Sequence, residues 1–181
     1  MQQETEVKIL EINRKQIEEK LVSLGAKKVL DSDIRTLFFD FKDGTIVKAK
    51  NLLRLRQEEN RAELTFKKVT FNQTTKQAEE YNVEVSDVET MQKILENLGI
   101  QETENMLKHR ISYKIDNARF DIDRYLGKYS FIPEFMEIEA ENADEIHKIA
   151  GQLGFKNEEC LPWSTNDLIR HYSSKKDSKK D

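Results

Sequence analysis

Seven segments of this 181-residue chain alternate charged or polar side chains with apolar ones, residue by residue. Successive side chains of a β-strand point to opposite faces of a sheet, so this alternation predicts strands with one polar and one apolar face. The segments are residues 4–9, 53–56, 64–67, 80–85, 108–115, 119–123 and 136–141. In Leu53-Arg54-Leu55-Arg56, the arginines share one face and the leucines the other. The chain is therefore expected to fold around an antiparallel sheet.

The charged faces of these strands allow two interpretations. An antiparallel sheet commonly places its apolar face on a core and its charged face in water. Solvated faces normally mix both signs of charge, whereas Glu4 and Glu6 share one strand and Arg54 and Arg56 another. Alternating arginines also present parallel guanidinium groups that suit phosphate oxygens. If the sheet closes into a barrel with these faces inward, it forms a polar tunnel suited to an anion that arrives with its own metal ion.

Four helices are predicted between or after the strands. Three of them begin at a capping side chain and end at Leu-Gly. Their bounds are Asn13 to Gly25, Ser86 or Asp87 to Gly99, and Asn142 to Gly154. The fourth is expected to start near Ser164.

Composition limits the classes of protein and partner. The length suits one domain, and a tunnel fold accommodates a charged content of 35% beside a hydrophobic content of 37%. A net charge of −4 argues against broad nucleic-acid binding, which needs a basic face. Cys160 is the only cysteine, so no intramolecular disulfide is expected. We find no run resembling a signal peptide or the ~20 apolar residues of a membrane span, and expect a cytoplasmic protein without membrane association.

Glu4-Thr5-Glu6-Val7-Lys8 resembles the N-terminal ExExK signature of the CYTH superfamily. These proteins are the triphosphate tunnel metalloenzymes, which include class IV adenylate cyclases and thiamine triphosphatases. The resemblance continues in order through Arg54-Leu55-Arg56, Thr65-Phe66-Lys67, Glu80 to Glu84, Lys108-His109-Arg110 with Tyr113, Phe120-Asp121-Ile122-Asp123, and Glu137-Ile138-Glu139. Seven motifs in order, all in phase with the strand alternation, are more specific than ExExK alone.

The resemblance implies an α+β fold: a closed antiparallel eight-stranded β-barrel, or tunnel, with a polar lumen and surrounding helices. It covers residues 1 to about 172, which form the predicted tunnel domain. Residues 173–181 are rich in serine, lysine and aspartate. Such a segment cannot bury enough apolar surface to order itself, and we predict a disordered charged tail.

The resemblance also implies roles for twelve residues. The phosphate-binding cations would be Lys8, Arg54, Arg56, Lys67, Lys108 and Arg110, with Lys8, Arg56 and Lys67 in the catalytic role. The metal-binding carboxylates would be Glu4, Glu6, Glu137 and Glu139, with Glu84 and Asp121 as additional or second-metal ligands. A triphosphate brings about four negative charges, so carboxylates in the same lumen would repel it unless a divalent cation came between them. Oxygen ligands suit Mg²⁺ or Mn²⁺.

Three functions fit this reading. The first is a metal-dependent hydrolase of inorganic, nucleoside or organic triphosphates, with water as nucleophile. The second is a class IV type adenylate cyclase, in which a ribose 3′-hydroxyl of ATP attacks. The third is a non-catalytic module that binds phosphate or polyphosphate. The expected partner is a small triphosphate-containing molecule, and the protein is expected to be a monomer or homodimer.

Some positions depart from the family pattern or allow a simpler role. Asn82 stands where many members carry a carboxylate, and residues 126–133 are longer than the usual link and could form a lid or rim. Four charged residues near strand ends are read first as solvated salt bridges, namely Lys114, Arg119, Asp123 and Glu141. Tyr113 is expected to pack on the apolar face, and Trp163 to close one end of the core rather than stack on a base.

Overall fold

The structure, a computed structural model, describes residues 5–71 and 76–177. Eight strands and five helices make it an α+β fold. The strands are β1 Thr5–Ile9, β2 Lys27–Phe41, β3 Leu52–Glu58, β4 Arg61–Phe71, β5 Lys76–Glu84, β6 Ile100–Ile115, β7 Ala118–Tyr125 and β8 Phe135–Ala140. The helices are α1 Arg14–Ser23, α2 Thr45–Lys48, α3 Val88–Asn97, α4 Ala143–Gln152 and α5 Thr165–Asp177. Short 3₁₀ turns cover Gly127–Tyr129 and Asn157–Glu159.

The eight strands form one antiparallel sheet in the order β1-β8-β7-β6-β2-β3-β4-β5. Each of the seven segments that alternate in sequence coincides with a strand over most of its length. The order has two ends, at β1 and β5, so in the described part of the chain hydrogen bonds do not close the sheet. The closed barrel therefore stays a prediction, whereas the eight-stranded antiparallel sheet is confirmed.

The chain divides into two compact units. The first comprises Met1–Ser32 and Lys108–Asp181, and the second comprises Asp33–Leu107. In the first unit, the apolar faces of β1, β6, β7 and β8 pack with α1 and α4 around side chains that include Ile9, Phe120 and Ile138. Tyr113 belongs to this core, as predicted, and its hydroxyl donates to Glu18 Oε2 at 2.8 Å.

The second unit has a smaller core of its own. Leu37 and Phe39 of β2 pack with Leu53 and Leu55 of β3, and Leu95 of α3 lies in the same cluster. The leucines of Leu53-Arg54-Leu55-Arg56 thus face the core, and the arginines lie on the opposite face of the strand. This arrangement is the one that strand alternation predicts.

Helix caps follow the sequence closely. The side-chain oxygen of Asn13 accepts from the backbone N–H of Gln16 at 3.2 Å, and that of Asn142 accepts from Glu145 at 3.0 Å. Asp87, rather than Ser86, caps α3 by accepting from Thr90 at 2.7 Å. Capping side chains satisfy first-turn N–H groups that lack a partner within the helix.

Strand β2 was not among the alternating segments. Its first five residues are exposed or half-buried without a regular period, and buried residues appear from Ile34 onward. Leu37, Phe38 and Phe39 are consecutive apolar residues, which hides the two-residue period. This strand is identified by its pairing with β3 in the structure, because its own sequence lacks the two-residue period.

The C-terminal helix α5 continues to Asp177, five residues into the segment for which the sequence predicts disorder. Contacts with the first unit accompany this last part of the helix. Lys175 Nζ lies 3.4 Å from Glu11 Oε1, and Lys176 Nζ lies 4.7 Å from the centre of the Phe131 ring. In the described part of the chain, no helix is long and apolar enough to cross a membrane.

The long link before β8 packs against the first unit. It contains the turn Gly127–Tyr129, and Tyr129 and Ile132 are buried. The rings of Tyr125 and Tyr129 meet edge to face with their centres 6.0 Å apart. A role for this link as a lid or rim stays a prediction.

Candidate functional site

Four strands of the first unit bring their charged residues together on one face. Strand register places Lys8 opposite Glu137, Asp121 opposite Glu137, and Arg110 opposite Asp123. Side chains directly opposite on adjacent antiparallel strands point to the same side of the sheet, with Cβ atoms about 4.5–5.5 Å apart. We call this surface, formed by charged residues of β1, β6, β7 and β8, the first polar face.

Lys8 is the buried cation of β1. Only 2% of the residue is exposed. Its ammonium is ion-paired with Glu6 and lies 2.9 Å from Glu137 Oε1. Burial by itself would lower the pKa of Lys8, but Glu137 and Glu6 outweigh burial and raise it. Lys8 is therefore positively charged and held in place. The two carboxylates use two of its three N–H donors, and the third is available to a ligand.

Arg110 of β6 lies at the centre of the first polar face. Its Nε and Nη2 donate to the two oxygens of Asp123 at 2.6 and 2.5 Å, and Nη2 also donates to Glu137 Oε2 at 2.6 Å. Nη1 is paired with Asp121. Burial alone would lower the pKa of Arg110, but Asp123, Glu137 and Asp121 raise it well above its ordinary value. Most N–H donors of the guanidinium are therefore already hydrogen-bonded to protein carboxylates.

Asp123 is fully buried, with 0% of the residue exposed. Besides Arg110, it accepts from Lys108 Nζ at 2.7 Å. Asp123 does form salt bridges, as the sequence predicts, but the prediction that they are solvated is wrong, because the carboxylate is buried against Arg110 and Lys108 of β6. Arg119 fits that reading better: its side chain is 32% exposed and Nε donates to Asp121 Oδ1 at 2.8 Å.

Glu137 of β8 joins cations from two other strands. Burial alone would raise its pKa, but Lys108, Arg110 and Lys8 outweigh burial and hold the pKa well below the ordinary value of a glutamate. The carboxylate is therefore ionised at neutral pH, and its charge is matched by neighbouring cations. Glu137 thus forms ion pairs with Lys8 and Arg110, whereas the sequence predicted it as a metal ligand.

The second unit carries a polar face of its own on β3, β4 and β5, which we call the second polar face. Register places Arg54 opposite Thr65 and Arg56 opposite Glu63. Lys67 is opposite Glu80, with Nζ and Oε1 separated by 2.7 Å. The hydrogen bond from Lys67 lowers the pKa of Glu80, and Arg54 and Arg56 add to the effect.

The structure distributes the predicted residues as follows. The first polar face brings together Lys8, Lys108, Arg110, Asp121 and Glu137, with Glu6 and Glu139 opposite each other on β1 and β8. The second polar face carries Arg54, Arg56, Lys67 and Glu84. Glu4 lies outside the described residues.

Three acidic residues of these faces were not among the predicted site residues. Asp123 pairs with Arg110 and Lys108, Glu80 pairs with Lys67, and Glu63 lies 4.0 Å from Arg56. Each is two residues from a residue that sequence analysis placed on the polar side of its strand, so strand parity alone could have indicated them.

The carboxylates of the first polar face are the residues to consider as ligands of a divalent metal ion. Among the described residues, no three His, Cys, Asp or Glu side chains group as metal ligands do. Glu6 and Glu139, however, are direct neighbours across β1 and β8, and the Glu6 side chain is 49% exposed. Mg²⁺ is commonly held by one or two carboxylates plus substrate phosphates. This pair supplies that number of carboxylates, although Glu6 is also ion-paired with Lys8. Asp121 and Glu137 are each engaged by two basic side chains.

Comparisons with known proteins agree on the fold. A protein of Methanocaldococcus jannaschii named "Putative adenylate cyclase MJ0240" is 27% identical over 141 residues, which are 78% of each chain. The structure of the PH1012 protein from Pyrococcus horikoshii is 25% identical, with a TM-score of 0.72 over 92% of this chain and 99% of that one.

A more distant structure comes from Hippeastrum and is described as a "putative adenylyl cyclase" that reveals a dominant triphosphatase activity. It is 16% identical, with a TM-score of 0.62 over 93% of this chain and 95% of that one, and it supports the fold alone. The family model of the CYTH domain matches residues 2–172. This match spans nearly the whole sequence, including every motif on which the two polar faces are built. The chain therefore belongs to the CYTH domain family.

Proposed function

We propose that this protein is a divalent-metal-dependent hydrolase of triphosphate-containing molecules. The observation that carries the proposal is the first polar face, where Lys8, Lys108 and Arg110 converge on Glu137 and its neighbouring carboxylates. Buried cations held in place by ion pairs form a rigid set of donors. Phosphoryl transfer depends mainly on positioning and on stabilisation of the charge that spreads over phosphate oxygens.

The cations of the chain bind and orient the phosphate groups in this proposal. Lys8 and Lys108 each keep N–H donors that the carboxylates around them do not use. Arg54, Arg56 and Lys67 of the second polar face are the further phosphate-binding candidates. The two arginines occupy alternate positions of β3 and present parallel guanidinium groups, and Lys67 of β4 adds an ammonium group.

Glu6 and Glu139 are the residues proposed to hold Mg²⁺ or Mn²⁺, with Glu4 preceding them in the same motif. When bound, such a cation would neutralise phosphate oxygens that the carboxylates otherwise repel. Glu84 and Asp121 stay as proposed additional ligands. The ion pairs of Asp121 with Arg110 and Arg119 make it the weaker candidate on its face.

An adenylate cyclase is the second candidate. The relative from Methanocaldococcus jannaschii that carries this name is 27% identical over 78% of the chain. Both reactions use the same phosphate and metal contacts and differ in the nucleophile, which is water in one and a ribose hydroxyl in the other.

A product assay separates these functions. The protein is incubated with tripolyphosphate and, separately, with ATP, in the presence of Mg²⁺ or Mn²⁺. Orthophosphate release supports the hydrolase, and cyclic AMP with pyrophosphate supports the cyclase. Binding of tripolyphosphate without turnover indicates a binding module, and neither binding nor turnover contradicts the proposal.

Variants connect the activity to the site. Glu6→Gln and Glu139→Gln each remove one carboxylate charge from the proposed metal pair while keeping the size of the side chain. We expect both to lose turnover at saturating metal. Glu19→Gln, on the exposed side of α1, changes the same chemical group away from the polar face and should leave turnover unchanged.

A further inference from the structure

Asp123 is the most completely buried carboxylate of the first polar face, and both of its oxygens are occupied. Oδ1 accepts from Arg110 Nε at 2.6 Å. Oδ2 accepts from Arg110 Nη2 at 2.5 Å and from Lys108 Nζ at 2.7 Å. One carboxylate thus links two neighbouring cations of strand β6.

The two cations differ in what they can still offer to a ligand. An arginine has five N–H donors, and Asp121, Asp123 and Glu137 together take four of those of Arg110. A lysine has three donors, and the hydrogen bond to Asp123 uses one of those of Lys108, while Glu137 acts on Lys108 through its charge. The Lys108 side chain is 18% exposed, so its two remaining N–H groups are within reach of a bound molecule.

We propose that Asp123 is a positioning residue, which fixes Lys108 against Arg110 so that the remaining N–H groups of Lys108 point at a phosphate of the substrate. The inference rests on the proposed function. A lysine ammonium ends a flexible four-carbon stem, and its direction is undefined unless a partner holds it. A misplacement of about 1 Å at a reacting group can cost about a hundredfold in rate.

Positioning and simple electrostatics predict opposite results at this residue. Asp123 carries a negative charge close to the place where an anion would bind. If its charge only opposed the anion, Asp123→Asn would tighten binding and leave the rate constant unchanged. If Asp123 positions Lys108, the same variant lowers kcat for tripolyphosphate at least tenfold, because Lys108 is then displaced.

A double-mutant cycle tests that route. The variants are Asp123→Asn, Lys108→Met and the two combined, with kcat and KM for tripolyphosphate measured separately for each. We expect the double variant to be no worse than Lys108→Met alone, within about twofold, because a residue that acts only through Lys108 has no effect once Lys108 is gone. Multiplying losses, or full activity of Lys108→Met, would overturn the proposal. Lys108→Met keeps the test decisive should Asp123→Asn fail to fold.

A crystal structure of Asp123→Asn supplies a readout that is independent of activity. We expect Lys108 Nζ to move by more than about 1 Å from its position in the unchanged protein. An unmoved Lys108 would overturn the proposal. If the unchanged protein neither binds nor hydrolyses tripolyphosphate, the proposed function fails, and the crystal structure still decides whether Asp123 positions Lys108. Asp144→Asn, which changes an exposed carboxylate in the first turn of α4 instead, is the matched control and should change neither kcat nor KM.

Discussion

Lys8 Nζ lies 2.9 Å from Glu137 Oε1, and both side chains are largely shielded from solvent, at 3% and 14% exposure. The second oxygen of Glu137 accepts from Arg110 Nη2 at 2.6 Å. A single carboxylate of β8 therefore connects cations on β1 and β6. This connection explains how charges of one sign can line up on a strand without destabilising the sheet.

Glu137→Gln should make the protein less stable and its stability less dependent on pH. Because the folded pKa of Glu137 lies below the ordinary value of about 4.3, its stabilisation is present above that value. It is lost as the pH falls through the folded pKa. We expect a loss of about 3 kcal/mol in the free energy of unfolding at pH 7, since a buried ion pair loses one partner.

Urea unfolding at neutral and acidic pH measures both effects. The unchanged protein should lose stability as the pH falls below about 4, and Glu137→Gln should show a smaller loss over the same range. Glu19→Gln, an exposed carboxylate, serves as the control. Equal acid-induced losses in the Glu137 variant and the unchanged protein would show that protonation of Glu137 does not cause the loss of stability.

Arg54→Ala and Arg56→Ala should weaken binding of tripolyphosphate much more than binding of orthophosphate. Arginines at alternate positions of β3 can span successive phosphate groups, and a single phosphate cannot use both. Loss of one charged hydrogen bond of about 1.5–3 kcal/mol corresponds to roughly a tenfold or greater rise in Kd. Titration calorimetry with both ligands measures the difference.

Arg35→Ala is the control for this comparison. Arg35 of β2 is paired with Gln57 of β3. It is exposed and lies on the side of the sheet away from Arg54 and Arg56. It should leave binding of both ligands unchanged. Equal losses for tripolyphosphate and orthophosphate in Arg54→Ala would indicate that the arginine is only a solvated surface residue.

Tripolyphosphate with Mg²⁺ should raise the melting temperature. A ligand that binds only the folded state stabilises it by about 2.7 kcal/mol at a hundredfold excess over Kd. For a chain of this length, that corresponds to an increase of about 5–10 °C. Neither the metal nor the polyanion alone should match it, because Glu6 and Glu139 repel the anion until a cation intervenes. A melting scan with no shift under these conditions would contradict the proposed ligand.

Cys160 should react slowly with thiol reagents in the folded protein. Burial raises the pKa of its thiol, and Glu159 adds to the effect. The thiolate is the reactive form, so both its low population and its poor access slow the reaction. Labelling should become rapid in denaturing guanidinium. Rapid stoichiometric labelling under native conditions would show that the segment around Cys160 opens readily.

Much of the local structure was predictable because it depends on neighbouring residues. Strand alternation identified seven of the eight strands, and Asn13, Asp87 and Asn142 cap the helices that the sequence placed after them. Strand β2 escaped because its apolar residues do not keep a two-residue period. The helical residues after position 172 escaped because their contacts with Glu11 and Phe131 join distant parts of the chain.

The sequence by itself determined which side chains share a face of each strand, since the direction of a side chain depends only on its place along the backbone. It thereby placed Lys8, Arg110 and Glu137 on polar faces. Only the tertiary structure decided that Glu137 would neutralise both cations and that Asp123 would be buried between Arg110 and Lys108. Those partnerships depend on strand order and register, which are set by long-range packing rather than by spacing along the chain.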